Sequence, residues 1–150
     1  MSPETDIQPA GDALGVRVSG EIAEQICRSV YNSVSWQHDG RPLDLLPDAN
    51  GELVLSESRL VAAVSALKFA AEGHATRAQI YTERAQAAGP RWYHRHKDAR
   101  QAEALYNHRQ AERAERQSRA FLYMGTLLLG AYTESVLQFL PDRATELIAS

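Results

Sequence analysis

The chain has 150 residues, a single cysteine and a net charge of −3, a size that suits one domain able to bury roughly two-thirds of its unfolded surface without metal or disulfide. The lone thiol, Cys27, excludes an internal disulfide framework and suits a reducing compartment. The acidic start has neither the basic residues nor the apolar run of a secretory leader, so a cytoplasmic protein is expected.

Charge is unevenly spread. Residues 1–57 carry 3 basic against 10 acidic side chains, and residues 91–119 carry 8 against 4. Such a pattern implies either neutralisation within the fold or a basic surface for an anionic partner.

Residues 1–19 hold Pro3, Pro9, Gly11 and Gly15 among scattered acids, with Val16 and Val18 as a short extended piece. Their composition predicts a flexible acidic arm ahead of a single helical domain spanning 20–150. A first helix is expected over about 20–37 because Ile22, Ile26, Val30 and Val34 recur every four positions, beside Ala23, Cys27 and Tyr31. Ser19 is its candidate N-cap, and Glu21 and Glu24 suit the positive end of the helix dipole.

Gly40 and Pro42 end that helix. The apolar residues of 42–55 lie on either side of Asn50-Gly51 and predict either a small β-hairpin or an irregular apolar loop. Asp48, Asn50 and Glu52 partly match a calcium loop, but Gly51 falls at the fourth position instead of the sixth, so a plain turn is expected.

A second helix over about 56–88, capped by Ser56 or Ser58, has a seam of Leu60, Val64, Leu67, Ala71, His74, Ala78, Tyr81 and Ala85. The alternation of four and three is that of a coiled-coil stripe, and its small residues let two helix backbones approach closely. Gly89-Pro90 then opens a third helix over about 90–140, with Pro141 beyond its end. At 100° per residue, Tyr93, Ala104, Asn107, Ala111, Ala114, Phe121, Leu122, Gly125, Leu128, Leu129, Tyr132, Val136 and Phe139 share one face, opposite Arg91, Arg95, Arg109, Arg113 and Arg116. Unbroken phase predicts one helix of roughly 75 Å, with a kink near Gln117-Ser118 as the alternative.

The fold class is therefore all-α: a long antiparallel helical hairpin of 56–88 and 90–140, with the 20–37 helix packed on its base. Folding about Gly89 sets His74 against Ala104 and Asn107, Leu67 against Ala111 and Leu60 against Ser118. Residues 121–140 then overhang the second helix, and their apolar face needs a cover. The uncharged run 120–133 is fourteen residues, short of the ~20 that span a bilayer, so no membrane span is expected. Width of the apolar face points to self-association through Phe121, Leu122, Leu128, Leu129 and Tyr132.

Residues 89–97 are the most distinctive chemically. Arg91, Arg95 and Lys97 could meet phosphates while Trp92 and Tyr93 stack on bases, as in single-strand binders, and Arg109, Arg113 and Arg116 continue the basic stripe. A solvated tip whose aromatics cap the small-residue seam, with Glu112 and Glu115 pairing the arginines, is the simpler reading. Arg91 and His96 are separated by four residues, and this short motif resembles that of the helical ribonucleases of the HEPN group. The resemblance implies phosphate positioning by Arg91 and proton transfer by His96; Trp92 stands where that family usually has a polar residue.

No metal or cofactor is expected. His74 and His108 could approach each other, but no paired-histidine or Glu-x-x-His unit is present. His74 is instead expected among alanines, bonded to Asn107, and Cys27 in the core. These features together predict a noncatalytic adaptor or assembly subunit, a homo-oligomer or part of a larger protein assembly, with nucleic-acid binding as the alternative.

Overall fold

The computed structural model describes residues 3–11, 13–34, 45–87 and 97–139. Of these, 79% are helical, two long helices pack together, and a small three-stranded antiparallel sheet accompanies them. The elements in chain order are α1 (Pro3–Asp6), β1 (Ile7–Pro9), β2 (Val16–Val18), α2 (Gly20–Val34), β3 (Leu53–Leu55), α3 (Glu57–Ala87) and α4 (Lys97–Phe139). The chain divides into two compact units, one drawn from Met1–Phe69 and Tyr123–Ser150, the other Ala70–Leu122.

Residues 7–9 and 16–18, expected in a flexible arm, are strands of the first unit. The sheet order is β1-β2-β3, with Ile7 opposite Val18, Pro9 opposite Val16, Val16 opposite Leu55 and Val18 opposite Leu53. Alternation explains the gain in order: Val16, Val18, Leu53 and Leu55 all point inward and are buried, while Val54 faces out. Proline cannot donate to a ladder, and Pro9 lies on an edge strand.

Of the two alternatives for 42–55, a small β-hairpin or an irregular apolar loop, the described residues show elements of both. The turn of the hairpin is present: the Asp48 carboxylate accepts from the Asn50 and Glu52 amides, both at 2.9 Å, and Gly51 takes the left-handed φ of 75° that glycine tolerates. Leu45 and Leu46, however, are not in a strand, and β3 pairs with β2 instead. Residues 42–44 lie outside the described residues.

Ser19 stands before α2, and its carbonyl accepts from the Ala23 amide. Its amide donates to the Asp6 carbonyl at 3.0 Å and its hydroxyl to the Asp6 carboxylate at 3.4 Å, which ties α2 to the end of α1. Ala23, Ile26 and Val30 form the buried stripe of α2. Cys27, expected in the core, is half-buried beside it. Ser56 precedes α3 and its carbonyl accepts from the Leu60 amide at 2.7 Å, as the predicted cap position requires.

Two bodies of buried side chains result. The first unit buries the inward faces of the sheet and α2 together with Leu60, Ala63, Leu67, Leu128 and Ser135. The hydroxyl of Ser135, 0% exposed, accepts from the Gly15 amide at 3.0 Å, so this polar group is satisfied within the core. The second unit buries Ala71, Ala78 and Ala85 from α3 with Asn107, Ala111, Ala114 and Ser118 from α4. Ala71, Ala78 and Ala85 are seven residues apart, as the seam predicted.

Candidate functional site

Small side chains set the character of the second unit. Its buried alanines, Ala71, Ala78, Ala85, Ala111 and Ala114, offer little apolar area per residue, so the few larger groups determine how the helices align. Two such contacts are present. The Ser118 hydroxyl donates to the Ala71 carbonyl at 2.8 Å, and the His74 ring stacks on Phe121 with centroids 5.3 Å apart and planes within 10°.

These contacts correct the alignment inferred from a fold about Gly89. His74 meets Phe121 instead of Ala104 and Asn107, and Ser118 meets Ala71 instead of Leu60. Phe121 lies two heptads beyond Asn107. An alanine seam repeating every seven residues is nearly unchanged by such a slide, so serine and the two rings decide what alanine cannot.

His74 is consequently not bonded to Asn107. Its Nδ1 is shielded from solvent and has no hydrogen-bond partner among the described residues. Burial first, and the Arg77 guanidinium second, hold its pKa below the ordinary histidine value. The ring is therefore neutral near pH 7.

Beside it lies a groove of about 580 Å³ lined by Ala75, Ala78, Gln79, Thr82, Glu83, Glu115, Ser118 and Arg119. Its floor is alanine and serine, its rim charged. Among the described residues no cluster of three or more histidine, cysteine or carboxylate side chains is placed to hold a metal ion. Burial, with a smaller contribution from Glu24, pushes the Cys27 thiol up against the opposing effect of its own backbone hydrogen bond. That direction disfavours the thiolate a nucleophile needs.

The predicted basic surface is described only in part. Arg91, Trp92, Tyr93, Arg95 and His96 lie outside the described residues, and with them the ribonuclease-like motif. Lys97 begins α4, and Arg109, Arg113 and Arg116 further along it are exposed. Helical spacing brings the three arginines to one side of α4. The salt-bridged face expected from the interleaved Glu112 and Glu115 does not form: no ion pair joins these arginines to another described residue.

The predicted self-association residues separate into two groups. Leu128 is 0% exposed and belongs to the core, and Phe121 and Tyr132 are half-buried. Leu122 and Leu129 are each 51% exposed. The cause is a turn of the buried face along α4. At 100° per residue, buried Asn107, Ala111, Ala114 and Ser118 centre roughly 80° from buried Met124, Gly125, Leu128, Ala131 and Ser135. Apolar residues that keep the earlier phase are left in solvent.

Leu137, 68% exposed, and Phe139 extend the uncovered set, and periodicity did not single out Leu137. That it stays in water with Leu122, Leu129 and Phe139 could not be read without knowing which face is covered. Residues 98–139 also form the one described helix long and apolar enough to cross a membrane by length and composition, with 28% of its most apolar window buried. No family model, curated protein or solved structure matches this chain.

Proposed function

We propose that this chain is a noncatalytic helical subunit whose two long helices run antiparallel as a hairpin and which self-associates through the apolar residues that α4 leaves in solvent. One observation carries the reading. Leu122, Leu129, Leu137 and Phe139 are exposed on α4, while the most apolar window of that helix is 28% buried. Scattered surface leucines need no explanation, but several large apolar side chains along one helix mark an interface.

Size exclusion with light scattering over a wide concentration range tests the proposal. Wild type is expected as a defined multimer. The double variant Leu129→Glu, Leu137→Glu is expected as a monomer with unchanged helicity, because both side chains already lie in water in the protomer. A wild-type protein that stays monomeric, or a double variant of unaltered mass, refutes the reading.

A second reading rests on a separate observation: Arg109, Arg113 and Arg116 are exposed and make no ion pair with described residues. We propose an anionic partner, nucleic acid, for that stripe. Each phosphate contact should contribute about −0.9 to the slope of log affinity against log salt on duplex DNA. Charge reversal of the three arginines should flatten that slope, whereas copurified nucleic acid that survives reversal argues against the stripe.

A further inference from the structure

His74, half-buried on the seam face of α3 in the second unit, is a titratable side chain that serves neither proposed surface. Its ring is flat against Phe121 at 5.3 Å, and its shielded Nδ1 has no hydrogen-bond partner among the described residues. One turn back on α3, the Ala71 carbonyl already accepts from Ser118. A neutral imidazole leaves one nitrogen unsatisfied at modest cost. An imidazolium carries N–H on both nitrogens and needs an acceptor for each.

The charged surroundings offer little compensation. On α3 the group acting on His74 is Arg77, which repels a second positive charge. On α4, Ser118 and Phe121 are uncharged; the adjoining groove adds Glu115 and Arg119 of α4, of opposite sign, and Glu83 of α3, which is more than two helical turns along from His74. The buried alanines of the second unit, Ala71, Ala78, Ala85, Ala111 and Ala114, supply few methyl groups to hold the seam if the stack is lost.

We propose that His74 makes the seam between α3 and α4 a pH-sensitive latch: the neutral ring holds Phe121 and the alanine contacts, and protonation opens this part of the second unit. The sign follows from linkage. Because the closed seam lowers the His74 pKa, the open form binds the proton more readily. The His74 contribution to closure is complete above the open-state histidine value of about 6.5. It declines as pH falls below that value, until the closed form is protonated as well.

Amide hydrogen exchange of the full chain at about pH 7.5 and about pH 5, corrected for intrinsic rates, tests this across the physiological window of histidine. Amides of 71–85 and 107–121 should lose protection on acidification, by a factor set by the ratio of the open and closed acid constants. Those of the sheet should not. In His74→Phe an aromatic ring remains against Phe121 and no proton binds, so the loss should vanish. Equal loss in wild type and variant overturns the proposal. A second measurement needs no variant: the His74 ring resonances should titrate with a midpoint below that of histidine in the unfolded chain. A midpoint at or above that value overturns it equally.

Discussion

Leu128 and Leu129 are neighbours in sequence with opposite surroundings, 0% and 51% exposed, and their truncation should differ accordingly. Leu128→Ala removes buried methyl groups from a site with no access to solvent, so the lost transfer energy and the residual cavity add, about 2–5 kcal/mol. Leu129→Ala in the dilute protomer removes atoms that already touch water and should stay within about 1 kcal/mol. Urea titration followed by far-ultraviolet circular dichroism reads both. With a denaturant slope of about 2 kcal/mol per molar, Leu128→Ala should move the midpoint down by about 1–2.5 M. The titration must be run where light scattering shows the protomer, since loss of a partner also lowers apparent stability. An unchanged midpoint for Leu128→Ala would refute the reasoning, as would an equal cost for Leu129→Ala. Either result would mean that the buried face of α4 does not turn.

Three further outcomes follow from contacts in the two units. Gly15 has φ of 150°, and a Cβ there would lie 2.5 Å from the Leu55 carbonyl oxygen, so Gly15→Ala should cost at least about 1–3 kcal/mol through backbone strain. The expected fall in Tm is about 3–10 °C for a chain of this size, and an unchanged Tm would show that β2 and β3 do not approach this closely. Ser118→Ala should lower stability by about 1 kcal/mol, because the buried hydroxyl bond to Ala71 is lost; a neutral result in urea titration would remove serine as a determinant of helix alignment. Alkylation of Cys27 should run slower than in the unfolded chain at mildly alkaline pH and rise with a midpoint above the ordinary thiol value. A faster rate would contradict its burial.

Much of the architecture was legible from local pattern. Ser19 and Ser56 stand where helices begin, and the heptad of Ala71, Ala78 and Ala85 is the buried line of α3. The turn at Asp48–Glu52 was visible in its residue types, because an aspartate carboxylate that caps two amides and a glycine with positive φ are local chemistry. Strands β1 and β2 were concealed by their length. Three residues carry too few alternations to register against the prolines and glycines around them, and their order comes from β3, some 35 residues away in sequence.

Periodicity assigns residues to faces of a helix, and along α3 and α4 it did so correctly for the alanine seam and for Leu128. What it cannot state is which neighbour covers a face, since 3.6 residues per turn is a property of one helix alone. The slide of His74 from Asn107 to Phe121 leaves the alanine repeat in step, and only the ring stack and the Ser118 bond choose between the two positions. Likewise, Leu128 and Leu129 both lie on the apolar face of the sequence, yet the buried set turns near Met124 and separates them. Intrinsic spacing thus determined where the helices lie and which residues are apolar together. Tertiary packing decided which of those residues are core and which remain in water, because burial is a relation between elements brought together from distant parts of the chain.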